Sequence, residues 1–411
     1  MTMIRGVDSR VDALVRERRP SHFQLERAVR PNILSLAPYR CARDDFQNGI
    51  LLDANENALG PALSGSEQSL PVDALELHRY PHPALFYVRE AACKLRNMPD
   101  PGFVFVGVGS DEVIDLVQRC FARPGRGKIL VCPPTYGMYK VSAAINDLEV
   151  VEVPLRFDGS FSLDVPTINA ALAADPDIAL VFLCSPGNPT GTLISLEDIR
   201  AVLENPSYNG LVVVDEAYID FALEEQALGR KHVGIDVSAC SLVPYYANLI
   251  VSQTLSKSFG LAAIRVGLGF AQPATIQVLN NTKAPYSIST TTAYLAAQAL
   301  SPDGVFKMRE HVHELVENRD ALIAELARIP ALGRVIGGND ANFVMVEVLN
   351  SPGGTPDSAR AGAVYRTMAM QHALVVRDRS KEPGCPGCLR ITVGTRDENK
   401  QCVALLDKLL Q

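Results

Sequence analysis

One lysine in the chain stands among residues that suit a cofactor with both an aldehyde and a phosphate. Lys257 follows the hydroxyl residues Thr254 and Ser256, and Arg265 comes eight positions later. A lysine amine can form a Schiff base with an aldehyde, while hydroxyls and a guanidinium can hold a dianionic phosphate. Pyridoxal 5'-phosphate (PLP) carries both groups. The run therefore predicts a PLP site, although a lysine in a Gly/Ser-rich turn is more often solvated surface.

Two apolar runs upstream end in polar side chains. Residues 211–214 are apolar and lead to Asp215, and residues 178–184 run into a turn that contains Asn188. Such runs predict buried parallel strands, whose carboxyl ends form the edge where open α/β sheets bind ligands. An aspartate there can pair with a protonated pyridine nitrogen, and Tyr218 could reach the ring's phenolic oxygen. The alternative is an ordinary strand end with a capping aspartate.

A third segment predicts an anion site and a ring-stacking side chain. Gly107 and Gly109 lead into residues 110–121, whose apolar stripe is typical of a helix. A glycine turn before a helix N-terminus offers backbone N–H groups to a phosphate, although the third glycine of a dinucleotide fingerprint is missing. Tyr136 follows another predicted strand, where its ring could stack on a flat cofactor. A half-buried core tyrosine is the alternative.

Together these segments resemble the aspartate aminotransferase superfamily, fold type I of the PLP-dependent enzymes. Within it they are most similar to the histidinol-phosphate aminotransferase family. The resemblance extends from about residue 30 to the C-terminus. It rests on residues 36–39, 52–57, 79–81, 109–112, 132–136, 185–191, 215–218, 254–257 and 387–394.

The resemblance implies a role for each residue of a PLP site. Lys257 would carry the Schiff base and move the substrate α-proton, and Asp215 would pair with the pyridinium nitrogen. Asn188 and Tyr218 would bond to the ring oxygen. Ring stacking and phosphate binding would involve Tyr136, the N–H groups of Ser110 and Asp111, the hydroxyls of Thr254 and Ser256, and Arg265.

The resemblance also implies substrate-binding residues and a partner subunit. Arg390 matches the arginine that holds the α-carboxylate of the amino donor. Tyr39 and Arg377 match positions near the distal phosphate of histidinol phosphate, and Asn57 completes the predicted substrate-binding set. Tyr80 matches a tyrosine that reaches the phosphate of the neighbouring subunit, which implies an obligate homodimer with a shared active site.

The expected reaction exchanges an amino group between L-glutamate and imidazole-acetol phosphate, giving L-histidinol phosphate and 2-oxoglutarate in histidine biosynthesis. An aromatic amino acid aminotransferase shares the core motifs, as does a PLP-dependent decarboxylase of a phosphorylated amino acid. A PLP-fold regulator or binding module would need a DNA-binding extension. The first 30 residues are too short for one, and the lysine is intact.

Fold and domain expectations follow from the alternation of apolar runs. Strand-like and helical patterns alternate from about residue 100 to 270, which predicts an α/β fold with a mostly parallel sheet covered by helices. The resemblance implies PLP fold type I: a seven-stranded, mostly parallel sheet between helices, plus a smaller α+β domain. We expect an N-terminal arm at 1–48 that packs with the small domain, a large PLP-binding domain at 49–290 and the small domain at 291–411.

In the C-terminal part we expect a long, interrupted helical pattern from Thr290 to Leu326. It is followed by predicted strands at 341–347, 373–377 and 388–393.

Composition excludes some classes of protein. The chain has 411 residues, 47% hydrophobic and 21% charged, as in ordinary globular proteins. A net charge of −7 argues against a general nucleic-acid binder, and no apolar run approaches a membrane span. Small-molecule substrates are the expected partners. The arginine-rich first 30 residues are interrupted by acidic residues, which favours a helical extension over a transit peptide.

Nine cysteines without a secretory signal predict reduced thiols in a cytoplasmic protein. Cys385 and Cys388 have the spacing of a redox or zinc motif, but no second pair exists and they lie in a Gly/Pro-rich turn. We therefore expect a structural turn and no metal site.

Overall fold

The computed structural model describes most of the chain. The residues it describes are 29–37, 42, 45–46, 48–63 and 72–411. Residues 1–28 of the helical extension predicted for the first 30 residues lie outside the described residues, as does Tyr39, predicted near the distal phosphate.

The described residues form thirteen strands and twelve α-helices. The strands are β1 (Ile50–Leu51), β2 (Val104–Val108), β3 (Lys128–Val131), β4 (Glu149–Glu152), β5 (Ile178–Cys184), β6 (Leu211–Asp215), β7 (Leu249–Thr254), β8 (Val266–Phe270), β9 (Leu332–Ile336), β10 (Phe343–Val348), β11 (Leu374–Val375), β12 (Arg377–Asp378) and β13 (Cys388–Thr392). The helices are α1 (Pro31–Leu34), α2 (Phe86–Leu95), α3 (Gly109–Phe121), α4 (Met138–Ile145), α5 (Val165–Ala174), α6 (Leu196–Leu203), α7 (Ile219–Ala227), α8 (Pro273–Thr282), α9 (Thr290–Ala299), α10 (Pro302–Leu326), α11 (Ser358–His372) and α12 (Arg396–Leu410). Single 3₁₀ turns lie at Val72–Leu75, Pro101–Phe103, Ala239–Leu242 and Ala262–Ile264.

Seven strands form the central sheet, in the order β2-β8-β7-β6-β5-β3-β4. Strand β8 is antiparallel to both of its neighbours, and the pairs from β7 to β4 are all parallel. The predicted α/β fold with a mostly parallel seven-stranded sheet is therefore confirmed. The register pairs Cys184 with Asp215 and Asp215 with Ser252, so the carboxyl ends of β5, β6 and β7 meet at one edge.

The central strands read as continuous apolar runs because both faces of the sheet are covered. On β6, Val213 packs into one hydrophobic cluster, whereas Val212 and Val214 pack into a larger cluster on the other face. Helix α3 belongs to the first face, where Val113 and Val117 are fully buried. Two apolar layers thus cover the sheet, and the polar residues of β6 and β7 lie toward their carboxyl ends.

A second sheet of four antiparallel strands, in the order β12-β13-β10-β9, lies in the C-terminal part. Strand β10 matches the predicted strand at 341–347, β13 matches the one at 388–393, and the run at 373–377 contains β11 and the start of β12. The long helical pattern is two helices, α9 and α10, because Ser301 caps α10 by accepting a hydrogen bond from the backbone N–H of Gly304 (3.2 Å).

The segment after residue 49 pairs with strands from the C-terminal part of the chain. Strand β1 pairs in parallel with β11, and Leu52 continues this pairing: its N–H donates to Val375 O (2.7 Å) and its carbonyl accepts from Thr392 N (2.9 Å). Closer to the N-terminus, Ala42 and Phe46 pack beside Val375. These contacts join the chain near the predicted boundary at residue 48 to the predicted small domain, and the division into three units stays a prediction.

One residue of the predicted N-terminal arm contacts helix α4 instead. The side-chain amide of Asn32 donates to Ala144 O (2.9 Å) at the end of α4. Among the described residues, no helix is both long and apolar enough to cross a membrane.

Candidate active site

Lys257 lies in the loop that follows β7, at the carboxyl edge of the central sheet. Its Nζ donates a hydrogen bond to Ala54 O (2.9 Å) and lies 6.0 Å from the centre of the Tyr218 ring. Burial of the amine, together with the positive charges of Arg390 and Arg265, lowers the pKa of this lysine to about 8. A larger fraction of this amine than of an ordinary lysine is therefore neutral near pH 7, and the neutral amine is the nucleophile.

Asp215 is buried at the end of β6, and its two carboxylate oxygens have different surroundings. Oδ2 accepts a hydrogen bond from the Tyr139 hydroxyl (2.7 Å), whereas Oδ1 has no hydrogen-bond partner among the described residues. Burial raises the pKa of Asp215 to about 6, and the bonds from Tyr139 and from the backbone N–H of Ala217 oppose that rise. Asp215 thus offers one unsatisfied oxygen to a donor such as a protonated ring nitrogen.

Tyr139 was not predicted from the sequence. It lies in the first turn of α4, is fully buried, and stacks on Phe182 of β5 with ring centroids 4.8 Å apart. The rings of Tyr139 and Tyr136 meet edge to face, with their centroids 5.6 Å apart. Tyr139 stands three positions after Tyr136, just inside α4, and its closeness in sequence to that predicted ring-stacking residue is the signal that could have identified it.

Tyr218 follows the same strand as Asp215 and contacts a second residue that was missed. Its hydroxyl accepts a hydrogen bond from the Asn55 side-chain amide (2.9 Å). Thr392 of β13 contacts both the backbone N–H of Asn55 (3.0 Å) and its side-chain oxygen (3.1 Å). Burial raises the pKa of Tyr218 to about 12, so the phenol keeps its proton and can donate it in a hydrogen bond. Asn55 lay within the 52–57 motif but carried no role in it.

Arg390 of β13 reaches from the small sheet to the large one. Its Nη1 donates to Asn188 Oδ1 (2.6 Å), and its Nη2 donates to Asp53 O. The guanidinium lies 5.4 Å from the centre of the Phe343 ring and is almost completely buried. Burial and the nearby charge of Arg379 lower its pKa. The structure thus brings Arg390 and Asn188 together in a rigid arrangement.

Arg377 lies directly beside Arg390. The antiparallel pairing of β12 and β13 sets their Cα atoms opposite each other, so both side chains leave the same face of the small sheet. Within the described part of the chain, Arg377 makes no ion pair. Asp378, the alternative partner on its own strand, instead accepts from Ser380 N (2.9 Å). Two adjacent arginines of this kind favour binding of anions.

The start of α3 and the residues around Arg265 form a compact turn. Arg265 Nη2 lies 3.2 Å from Asp111 Oδ2, and a Cβ atom on Gly109 (φ +69°) would lie only 2.5 Å from that Nη2. Nearby, the Thr254 hydroxyl donates to Ser256 Oγ (2.9 Å). Because Gly109 has no side chain, there is space for the Arg265 guanidinium. This group and the two hydroxyls lie close to the N-terminus of α3, as phosphate binding requires.

Three predicted residues have positions that their assigned roles did not anticipate. The Asn57 amide donates to the backbone carbonyls of Lys257 (3.3 Å) and Ser258 (3.0 Å), which fixes the lysine loop. The Tyr136 hydroxyl donates to Asp111 Oδ1 (3.3 Å). Tyr80 is 81% exposed and stacks on Tyr286 at 4.7 Å. No hydrogen bond or ring contact among the described residues joins Tyr80 to the rest of this site.

Cys385 and Cys388 are buried free thiols; Cys385 lies in the turn before β13, and Cys388 is the first residue of that strand. The backbone N–H of Cys388 donates to Cys385 O (3.2 Å). This is the turn geometry expected from their Gly/Pro-rich surroundings.

These features fit PLP. The unpartnered Asp215 oxygen suits a pyridinium, the lysine of lowered pKa suits an aldehyde, and the turn around Arg265 suits a phosphate. The adjacent Arg390 and Arg377 add binding capacity for an anionic substrate.

Comparisons with known proteins agree with this chemistry. Residues 47–406 match the family model for aminotransferase class I and II. The chain is 47% identical to histidinol-phosphate aminotransferase of Schizosaccharomyces pombe, and the matched region covers 95% of this chain and 98% of that protein. It is 43% identical to the Candida maltosa protein of the same name, covering 94% and 98%. The crystal structure of the Sinorhizobium meliloti histidinol-phosphate aminotransferase in complex with PLP has the same fold, with a TM-score of 0.76 at 22% identity and coverage of 95% and 98%.

The chain belongs to the class I and II aminotransferases, and within them to the histidinol-phosphate aminotransferase family.

Proposed function

We propose that this protein is a PLP-dependent transaminase that exchanges an amino group between L-glutamate and imidazole-acetol phosphate. The products are L-histidinol phosphate and 2-oxoglutarate, a step in histidine biosynthesis. One observation carries the reaction type. A lysine of lowered pKa lies in the same cluster as a buried aspartate with one free oxygen and a rigidly held arginine. The substrate assignment is supported by the relatives that share 36–47% of their residues with this chain.

PLP supplies an aldehyde for covalent attachment and a ring that withdraws electrons from the substrate α-carbon. Asp215 Oδ1 would accept the N–H of the pyridinium, and Tyr218 and Asn188 would donate to the ring oxygen, since the Tyr218 phenol keeps its proton. Tyr136 would stack on the ring. The phosphate would be held by the N–H groups of Ser110 and Asp111, the hydroxyls of Thr254 and Ser256, and Arg265.

Lys257 has two tasks in this proposal. Its Nζ would hold the cofactor through its aldehyde, and the same amine, once free, would act as the base for the substrate α-proton. The lowered pKa serves both tasks, because a neutral amine is the nucleophile and the base. The hydrogen bond to Ala54 O holds the free amine in place.

Arg390 and Arg377 divide the anionic substrates. Arg390 is held by Asn188 and the Asp53 carbonyl, so its position suits the α-carboxylate of glutamate, which must always be held at the same distance from the reacting carbon. Arg377 is partly exposed and makes no ion pair within the described residues, so it can move to the distal phosphate of histidinol phosphate. Tyr39 and Asn57 complete this pocket.

We further propose a homodimer in which Tyr80 completes the site of the neighbouring subunit, with no nucleic acid as partner. Tyr80 and Tyr286 are 81% and 47% exposed and stack on each other, so they form an exposed aromatic pair that a second subunit could cover, and Phe86 is 62% exposed. Mixing Lys257→Ala protein with a severe Tyr80 variant should restore some activity, because one site of the hybrid carries neither lesion. Absence of restored activity, in subunits shown to exchange, would contradict the shared site.

The three-unit arrangement is also part of the proposal. The arm at 1–48 would pack with the small domain (291–411), with the PLP-binding domain at 49–290 between them in sequence. The contacts of Ala42 and Phe46 with Val375 support it. We place the enzyme in the cytoplasm, a location supported by the free thiols of the eight described cysteines.

Spectra of the two half-reactions test the proposed function. Purified protein loaded with PLP is mixed separately with histidinol phosphate, glutamate and phenylalanine, and conversion of the cofactor to its amine form is followed. We expect rapid conversion with histidinol phosphate and glutamate. Equal or faster conversion with phenylalanine would indicate the aromatic transaminase. Release of carbon dioxide from a phosphorylated amino acid would indicate the decarboxylase.

A further inference from the structure

A chain of buried polar side chains lies beneath the lysine loop. The hydroxyl of Ser258, the residue after Lys257, donates to Asp220 Oδ2 (2.6 Å). The other oxygen of Asp220 accepts from Arg96 Nη2 (2.7 Å). Ser258 is 1% exposed and Asp220 is 9% exposed. A charged group is thus connected through one hydroxyl to the residue beside the lysine.

The same chain continues to the residue after Asp215. Arg96 Nε donates to Gln253 Oε1 (2.7 Å), and Gln253 Nε2 donates to Glu216 Oε2 (2.8 Å). The same oxygen of Glu216 also accepts from the Ser238 hydroxyl (2.7 Å), and its other oxygen accepts from the backbone N–H of Ala239 (2.5 Å). The chain therefore begins one residue after Lys257 and ends one residue after Asp215.

Burial of these charges has an energetic cost that a structural role alone does not require. Taking ionised groups out of water is unfavourable, and apolar residues of similar size often anchor two elements equally well. A completely hydrogen-bonded network, in contrast, fixes the direction of each side chain that it includes. The described contacts satisfy Asp220 on both oxygens, so its geometry is determined on both sides.

We propose that Asp220 is a positioning residue for Lys257. It acts through the Ser258 hydroxyl, while Asn57 holds the Ser258 carbonyl from the other side (3.0 Å), so the residue beside the lysine is fixed at two points. Arg96 orients Asp220 through their ion pair (2.7 Å). This inference rests on the proposed function, because it assigns a second layer of residues to the same lysine.

Helix α7 contains a matched control for this proposal. Glu225, five residues after Asp220, is also a buried carboxylate paired with a buried arginine, Arg319. Its described partners do not include the lysine loop. A general loss of charge pairing within α7 should affect the Glu225 variant as much as the Asp220 variant, whereas loss of lysine positioning should affect Asp220 alone.

The experiment measures how fast PLP becomes covalently attached, which does not depend on turnover. Apoprotein is mixed with PLP, the visible band is followed, and borohydride-trapped PLP is mapped by mass spectrometry. Asp220→Asn and Ser258→Ala should each slow attachment at Lys257 about tenfold, since a displacement of about 1 Å at a reacting group can cost up to about a hundredfold. Glu225→Gln should attach PLP at the wild-type rate even if its unfolding midpoint falls.

Two further measurements separate positioning from loss of fold. Ser258→Ala removes a single hydroxyl, so it tests the proposal if Asp220→Asn fails to fold. In both variants kcat for glutamate should fall while KM stays within about twofold, because substrate anion binding is untouched. Arg96 also lines a cavity of about 660 Å³, so added guanidinium ion should restore attachment in Arg96→Ala.

Wild-type attachment rates in both Asp220→Asn and Ser258→Ala would overturn the positioning role. So would an equal loss in Glu225→Gln. If wild-type protein itself attaches no PLP at Lys257, the proposed function fails instead, and the two outcomes are distinct.

Discussion

The two halves of the active site are encoded differently in the chain. On the cofactor side, Asn188, Asp215 and Lys257 each lie at or just after the end of a strand of the central sheet, within a few residues of an apolar run. On the substrate side, Arg390 contacts the carbonyl of Asp53, a residue 337 positions earlier, and lies opposite Arg377 on a short edge strand. A local pattern thus determines one half, and tertiary contacts determine the other.

This difference has a functional counterpart that can be tested. Changes in the cofactor half should impair the glutamate and histidinol-phosphate half-reactions equally, because both substrates use the same ring. Changes in the substrate half should separate them, because the two substrates present different anions.

The largest effect is expected for Lys257→Ala. Both half-reactions should fall by more than about 10⁴-fold, beyond the usual loss of an acid–base group, because covalent exchange is lost as well. Borohydride should no longer trap PLP on the protein. Lys283→Ala is a matched control, since Lys283 also donates to a backbone carbonyl, Val106 O (2.5 Å), and it should keep the trapped cofactor. Trapping at another lysine would contradict the assignment.

Asp215→Asn should follow, with losses of roughly 10²- to 10³-fold in both half-reactions, comparable to removal of a key electrostatic group. A neutral amide at this position cannot stabilise a pyridinium, so single-turnover removal of the α-proton should slow while PLP stays bound. An unchanged unfolding midpoint would exclude loss of structure. Proton removal at the wild-type rate would end the case for Asp215.

The two arginines should separate the substrates. Arg390→Lys should weaken the glutamate half-reaction more than tenfold, which corresponds to about 1.4 kcal/mol, since a lysine lacks the planar fork that Asn188 and a carboxylate share. Arg377→Ala should weaken histidinol phosphate more than glutamate. Arg334→Ala is the control. Arg334 pairs with Glu347 on the same sheet, so its loss should leave both half-reactions unchanged. Equal losses for both substrates in Arg377→Ala would remove its proposed role and favour the aromatic transaminase.

Tyr139→Phe is expected to have a smaller effect that is equal for both substrates. The substitution removes only the hydroxyl that donates to Asp215 Oδ2 and keeps the stacking on Phe182. Loss of one such hydrogen bond should reduce both single-turnover rates by about three- to tenfold. The pKa of Asp215 should rise further, so the loss should be larger at pH 6 than at pH 8. A loss for one substrate alone would contradict this placement of Tyr139.

The last prediction concerns pH and changes no residue. In apoprotein, labelling of Lys257 by an amine reagent should reach half its maximal rate near pH 8, because burial lowers the pKa of this lysine and the neutral amine reacts. Reactivity should therefore rise as pH increases through 8, whereas exposed lysines respond near the ordinary value of about 10.4. A midpoint above pH 10 would contradict the lowered pKa.

The comparison of the two halves also explains what could be predicted from the sequence. Strands β5 and β6 were predicted because both faces are buried and their runs are continuously apolar. Strand β9 was missed, because Gly333 and the exposed Arg334 interrupt its apolar pattern. Edge strands of this kind are stabilised mainly by their neighbours.

Among the site residues, the structure brings Lys257, Asp215, Tyr218 and Asn188 to one edge, as the strand ends indicated. Asn55 and Tyr139 could not be assigned, because their importance depends on partners that are distant in sequence. Asn55 contacts Thr392, which is 337 positions away, and Tyr139 contacts Asp215, which is 76 positions away. Periodicity and spacing carry no information about such pairs.

The pairing of Leu52 with Val375 and Thr392 has a consequence for folding during synthesis of the chain. When Lys257 has been synthesised, the ribosome must still add about 135 residues before Thr392 exists, which takes about 7 to 27 seconds at usual elongation rates. During that interval the segment with Asn55 and Asn57 has no C-terminal strand to hold it. The nascent chain therefore carries its lysine and aspartate well before its arginine pair, and a chain released before Thr392 is translated lacks the strand that secures the residue bound to Tyr218.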